Sequence, residues 1–409
     1  MAENETTPHP AVSSRPILVV GAGAAGIGCA IAAANGGCEV ILVERAREVG
    51  GTVANALIHT IGGLFDDAGK PINADLTDEL RQRLSDADPR TVPRRMGRVH
   101  VLSANPRTYR DTVTRWLGET PRVRVLTETT VLDQEVGDKR IERVRLQGAF
   151  GTETIAPAAV VDATGDAEIV RQIDPALVEP GHALAGLVAV LRGLEPDALA
   201  FPRGVALARE IAAAVNIDAL PVECAGLWPD QGVVPGEAYL KLNLRRETFD
   251  AERMRRVVDT LIIWLRRLPG IADARLYRIG AIGVRDGGRV RGQYRLTEDD
   301  LTSGRRFPDA VCQGCWPIEH WEPGHNLRLR YLPPGTRYDI PLRSLQVRGF
   351  SNLYAAGRCL SAEPRAQASA RVAGTCWSMG FGLGRRLAHG DAPSDARRAP
   401  RTIKISNGA

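Results

Sequence analysis

The run VVGAGAAGIGCAIAAANGGCEVILVERAREVGGT, from Val19 to Thr52, constrains the fold more than any other stretch of the chain. The apolar segment 17–20 reads as a short buried strand. Residues 24–36 suit a small-residue helix ended by Gly36-Gly37, and residues 39–44 make a second buried strand. A strand, helix and strand of these lengths predict a parallel pair joined by a right-handed crossover, and hence an α/β protein. Gly21, Gly23 and Gly26 form G-x-G-x-x-G between the first strand and the helix. Gly21 permits the tight turn, and Gly23 lets the backbone approach a pyrophosphate. Gly26 lets helix and strand pack closely, while the amides of the helix head, including Ala24 and Ala25, face the phosphates. Glu44 closes the second strand, where a carboxylate takes two ribose hydroxyls and disfavours a 2′-phosphate. NAD and FAD both satisfy this pattern; the plain alternative is a glycine-rich turn beside a surface glutamate.

Composition excludes several other classes. The chain has 409 residues, 25% of them charged, with a net charge of +5 carried mostly by scattered arginines. No dense Lys/Arg block is interleaved with aromatics, which argues against a nucleic-acid surface. Seven cysteines without regular spacing do not make a disulfide framework. Residues 1–15 carry acidic groups and no apolar run, so they read as a disordered tail and not a signal peptide. Pro16 to Cys38 lacks charge over a length that suits a membrane helix, but its glycines fit a strand, turn and helix better. The expectation is a cytoplasmic protein without membrane or nucleic-acid partners.

Further along, residues 111–120 read as a helix. VRVLTETTVLDQEV and RIERVRLQG read as strands of a meander, and residues 157–166 as another buried strand. From about 170 to 335 the pattern is mixed helix and strand with no glycine-rich nucleotide loop. Residues 351–363 return to a strand and turn, 370–388 to a small-residue helix, and 391–409 to a basic tail. The expected organisation is a discontinuous nucleotide-binding domain, 16–170 and 336–390, around a substrate or cap domain at 171–335.

The residues after Glu44 carry a resemblance. Gly50-Gly51-Thr52, five residues on, is similar to the FAD site of the glutathione-reductase-type flavoproteins, and VVDATGDAEIV (160–170) is similar to their A-T-G-D strand end. Thr164-Gly165-Asp166 there is a sharp turn whose Asp166 can bond a ribose or a backbone amide. AIGVRDGGRVRGQYRLTEDDL (281–301), YDIPLRSL (338–345) and NLYAAGRCLSAEPRAQASARVAGTCWSMGFGLG (352–384) resemble successive blocks of the FAD-dependent oxidoreductases. The resemblance implies FAD as cofactor and a glutathione-reductase-type FAD-binding Rossmann domain with an inserted α+β substrate domain. It adds Arg45, Thr52, Val125, Gly357, Arg358, Gly374 and Thr375 to the cofactor-binding set. It also implies that residues 357–358 and a helix from about 372 close over the flavin, the helix dipole facing its N1–C2 region. Packing alone is the other explanation for Ala373, Gly374 and Gly380. One departure stands out: Asp286-Gly287-Gly288 replaces the family's Glu-Ser/Thr-Arg.

For the chemistry, His320 is a candidate general base or substrate ligand, with Glu319 beside it. Arg285, Arg289, Arg358, Arg365 and Arg371 fall in the similar blocks, and guanidinium forks suit a carboxylate substrate; the alternative is that several pair with local acids or phosphates. His59 in HTIGG is faintly similar to the histidine that binds flavin covalently in succinate-dehydrogenase-like proteins, and is otherwise a candidate neighbour of the ring. Cys312 and Cys315 suggest a redox pair, a zinc site completed by His320 or His325, or two unlinked thiols, the last being the default, so no metal is expected. With a single nucleotide site, the expected reaction is direct: a small, carboxylate- or amine-bearing metabolite gives hydride to flavin N5. Oxygen, a quinone or a partner protein then reoxidises the flavin. A flavin monooxygenase or halogenase is one alternative, although no W-x-W-x-I-P stretch occurs. A flavin-holding scaffold or RNA-associated protein without turnover is the other. Oligomeric state is left open.

Overall fold

The computed structural model describes residues 15–181, 184–320 and 328–390; both expected tails lie outside these, apart from Arg15. The first strand (Ile17–Val20) is the centre of a five-stranded parallel sheet. Its strands run in the order Leu353–Ala355, Ala159–Asp162, Ile17–Val20, Val40–Val43 and Val123–Leu126. Every pairing is parallel. A sheet covered on both faces needs unbroken apolar strands, and ILVV and VILV are such strands. Ile17 and Val19 bury in a core with the helices Ala24–Asn35 and Ala373–Ala388. Leu18 and Val20 bury against the antiparallel meander of Thr130–Gly137, Arg140–Gly148 and Gly151–Ile155. The charge-free segment 16–38 is thus a strand, turn and helix inside a three-layer body. Among the described residues, no helix is long and apolar enough to cross a membrane.

The two helices on the first face touch backbone to backbone. A Cβ at Gly28 would lie 2.7 Å from the Trp377 carbonyl oxygen, and one at Gly380 would run into the carbonyl of Ala25. Packing therefore accounts for Gly380.

Three local expectations are corrected. The helix expected at 111–120 spans Pro106–Gly118, because Asn105 caps it by accepting from the Arg107 amide and Pro106 fits its first turn. VRVLTETTVLDQEV is not one meander strand. It breaks near Glu128, at φ 51°, so that Val123–Leu126 joins the parallel sheet and only Thr130–Gly137 enters the meander. The helix expected at 370–388 begins at Ala373; Ala370 closes a separate helix, Pro364–Ala370, with Arg371 and an extended Val372 between them.

A second sheet stands on the body. Its antiparallel strands are ordered Trp228–Gln231, Glu237–Arg245, Leu184–Arg192 and Arg275–Ile279, with Gly283–Val284 also on Leu184–Arg192. Leu187, Ala189, Leu191, Leu240 and Leu242 face helices Arg203–Asn216 and Ala251–Leu265 in a separate core. The opposite face turns toward the body, where Val188, Val190 and Tyr239 pack on Leu57. The segment expected as one unit, 171–335, divides physically. Leu296, Leu301, Phe307, Cys312, Ile318 and Leu332 bury in the same core as the first helix, so the cap sheet and its helices end near residue 284.

Candidate active site

The glycine turn makes a cradle bounded by backbone. Gly21 has φ 106°, which an L side chain rarely adopts, and its amide donates to the Val43 carbonyl. A Cβ at Gly26 would collide with the Gly21 carbonyl, so that glycine is demanded by protein packing. Gly51, at φ 52°, admits the Gly23 Cα, which would lie 2.7 Å from a Cβ there. Gly23 differs: a Cβ on it meets nothing nearer than Gly51 Cα at 3.9 Å. The helix behind it, Ala24–Asn35, has no side-chain cap and no acid in its first turn. An open space at an uncapped helix head, whose amides carry partial positive charge, suits a pyrophosphate. Glu44 is held at the end of its strand by the amides of Ala22 (2.7 Å) and Ala46 (2.9 Å), one on each oxygen. Each oxygen keeps a lone pair for a ribose hydroxyl. Thr52 follows in the short helix Gly51–Asn55. Val125 lies opposite Leu42 on the edge strand, and Arg45 extends to the surface in a 2.7 Å pair with Glu168. These residues fit FAD.

The A-T-G-D turn is organised by a residue that sequence reasoning passed over. Buried Asp162 accepts from the Thr164 amide and hydroxyl, and from the amides of Ile169 and Val170. Burial raises its proton affinity against the pull of those donors. The Thr164 hydroxyl also accepts from the Glu168 amide, so its bonds are local. Asp166 pairs with Arg358 at 2.7 Å, and the guanidinium lies where a Cβ on Gly165 (φ 83°) would reach it at 2.8 Å. The Asp286-Gly287-Gly288 departure has its reason here. A side chain at Gly287 would strike the Asp166 carboxylate, and Gly288 sits at φ 135° against Arg171.

At the head of the last helix, a Cβ on Gly374 would lie 2.5 Å from the Gly62 carbonyl oxygen. On its Cβ side that glycine, like Gly380, admits another stretch of the protein. Gly357, at φ 93°, donates its amide to the Met379 sulfur at 3.0 Å. Thr375 Oγ1 and Arg358 Nε are both buried with no hydrogen-bond partner among the described residues, and such orphaned polar groups suit a ligand that completes them.

Where body meets cap sheet, partly exposed charged side chains gather in a cluster, termed the chamber. Arg285 donates to the Ala185 carbonyl (2.7 Å) and to Asn243 Oδ1 (2.6 Å), crossing the sheet where Gly186 leaves room. Arg371, in the break between the two helices, is 14% exposed; its Nη2 donates to the Glu319 carbonyl at 3.3 Å and lies 4.0 Å from the Glu319 carboxylate. Burial lowers the proton affinity of both arginines, and Arg371 adds like-charge repulsion at Arg285. Both remain cations at neutral pH. Glu319 opposes these shifts at both, and accepts from Trp316 Nε1 at 3.2 Å. It lies on the strand Ile318–His320, where successive side chains alternate, so His320 projects to the face opposite Glu319. The other arginines named from the sequence pair with acids: Arg289 with Asp286 and Glu179, Arg365 with Glu298, Arg358 with Asp166.

A buried knot sits beside the chamber. Asp230 takes two bonds from Arg94 Nη2 (2.8 and 2.7 Å), and His59 Nε2 lies 3.1 Å away, out of line for a hydrogen bond. The His59 ring stacks on Tyr239 with centroids 3.8 Å apart and has no exposed surface. Burial pushes its pKa down to about 4. Burial alone would raise the Asp230 carboxyl, but His59, Lys241 and Arg94 outweigh it and hold it below the usual carboxylate range. Neither nitrogen of the His59 ring has a hydrogen-bond partner among the described residues. Arg94, Asp230, Tyr239 and Lys241 were not found from the sequence. The signal was present in EAYLKLNLR, whose strict alternation announces a strand with one polar face.

Cys312 and Cys315 are free, and burial raises both thiols, Cys315 to about 12, which disfavours the thiolate a redox pair needs. Among the described residues no group of histidine, cysteine and carboxylate side chains forms a metal site; His325 lies outside them. Cys315 lines a surface cleft of about 220 Å³ with Asp66, Arg95, Arg98 and Tyr331, which shares no residue with cradle or chamber.

A model of the family described as FAD dependent oxidoreductase matches residues 16–178 and 207–404. No curated protein matches the chain by sequence. Among solved structures, the anhydrotetracycline hydroxylase OxyS of Streptomyces rimosus superposes with a TM-score of 0.50 at 12% identity, over 91% of this chain and 62% of that one. A geranylgeranyl bacteriochlorophyll reductase-like protein of Thermoplasma acidophilum gives 0.46 at 11% identity, over 91% of this chain and 76% of that one. The likeness is one of fold.

Proposed function

The chain belongs to the FAD-dependent oxidoreductases, and from that premise we propose that it oxidises a small, carboxylate-bearing metabolite held between Arg285 and Arg371. The observation that carries this reading is the pair of partly desolvated guanidiniums near Glu319, with Arg371 making Arg285 costlier to keep charged. A carboxylate between them relieves that repulsion and accepts charge-assisted bonds. Gly23, the head of the first helix and Glu44 would hold the adenosine diphosphate half of FAD; Arg358 and Thr375 would meet the ring end. When bound, FAD supplies a two-electron acceptor. The protein's own part is then to orient the substrate, exclude water and take a proton. Glu319 takes that proton, being the carboxylate that faces both arginines.

Hydroxylation, the activity that names the Streptomyces rimosus enzyme, is the competing reading. Mixing the yellow protein with hydroxy and amino acids without oxygen separates the two. Bleaching by such an acid, slowed about 10²–10⁴-fold in Glu319→Gln with FAD retained, is the expected result. Bleaching only by NADPH, with hydroxylation on admitting oxygen, favours the other reading.

A further inference from the structure

Strand Glu237–Arg245 presents a polar row on the face turned toward the body: Glu237, Tyr239, Lys241 and Asn243. A row of this kind ordinarily meets water. Glu237 is engaged by Arg192 and by the Tyr239 hydroxyl, and Asn243 by Arg285. Lys241 is provided for less well. Its Nζ donates to Thr60 Oγ1 at 3.2 Å and lies 3.6 Å from Asp230 Oδ2, beyond hydrogen-bond reach. Asp230 is already taken by Arg94 and crowded by His59. An ammonium has three donors, and one of these has an acceptor among the described residues. The side chain is 23% exposed. Around it stand Asp230 on the next strand, Arg94 and His59 from the body, and Glu319 across the chamber. Glu319 also bears on Arg285 and Arg371, which puts lysine and arginines within electrostatic reach of one carboxylate.

This inference rests on the carboxylate reading above and deepens it. We propose that Lys241 binds the second carboxylate of a dicarboxylate substrate whose first carboxylate lies against Arg285 and Arg371. A compact ammonium with unspent donors, two positions along its strand from the Asn243 that holds Arg285, suits the second of two anionic ends. Asp230, fixed by Arg94, is the positioning group that forms an ion pair with Lys241. Burial lowers the proton affinity of Lys241, against Asp230 and Glu319, so affinity for a dicarboxylate falls as pH rises, at lower pH than free lysine would titrate.

The test is calorimetric titration of the FAD-loaded protein with succinate, glutarate and adipate, each against the monocarboxylate of equal chain length. At least one diacid should bind about tenfold or more tighter than its partner. Lys241→Gln should abolish that preference and leave monocarboxylate affinity in place, and Lys241→Arg should retain most of it. No preference in wild type, or a preference that survives in Lys241→Gln, would overturn the proposal. The wild-type measurement decides the matter if the variant does not fold. If monocarboxylates bind and diacids gain nothing, only this inference falls. If none of the six acids binds, the carboxylate reading falls with it.

Discussion

The cradle and the chamber are built from different materials. The cradle is made of backbone: Gly21, Gly26 and Gly51 are what their neighbours require, and Gly23 leaves space that no protein atom fills. The chamber is made of long charged side chains, Arg94, Lys241, Arg285 and Arg371, arranged around Asp230 and Glu319. A shape formed by missing side chains has few ways to change. A shape formed by long ones is open to exchange, which fits a family that keeps one cofactor and varies its substrate.

The largest effect expected from this contrast lies within the cradle itself. Gly26→Ala drives a methyl into the Gly21 carbonyl and should cost about 3 kcal/mol or more, seen as a steep loss of thermal stability without cofactor. Gly23→Val should leave that apo stability nearly unchanged and yield colourless protein, because its side chain fills the open space. A Gly23→Val protein that purifies yellow would place the cofactor elsewhere.

Next comes the knot behind the chamber. His59 stays neutral in the folded protein down to about pH 4, whereas in the unfolded chain it gains a proton near 6.5. The unfolded state therefore binds more protons between those values, and stability should drop as pH falls from about 6.5 to 4, by up to about 3 kcal/mol. Thermal midpoints across that range should show the slope in wild type and a flatter profile in His59→Gln. Equal slopes would mean that the ring titrates freely.

The smallest effect separates shape from charge. Arg371→Lys keeps the cation but loses the planar fork, and should weaken binding of a simple carboxylate about tenfold, with FAD retained. Unchanged affinity would reduce the arginine to a point charge and bring the chamber closer to a plain electrostatic funnel.

The same contrast governs what the sequence discloses. The cradle could be read because its parts are neighbours: the G-x-G-x-x-G turn, Glu44 and Gly50-Gly51 all lie between Gly21 and Gly51. The family blocks then led to FAD as cofactor. The chamber draws on residues 59, 94, 230, 241, 285, 319 and 371, which only folding brings together. Arg285 and Arg371 were within reach because they sit in the similar blocks, and Glu319 because it stands beside His320. Arg94 and Asp230 have no local mark. Lys241 had one, the alternation of its strand, but a polar row reads by default as facing solvent. Boundaries failed where one residue outweighed the pattern, as at Glu128, Asn105 and Val372.

Asp230 belongs to the cap sheet, whereas Arg94 and His59 belong to the body. One carboxylate thus works as a latch across the seam. Pulling it open would strand a buried charge, at a cost of about 3–5 kcal/mol. The seam between the two units is accordingly fastened at a point that is costly to part.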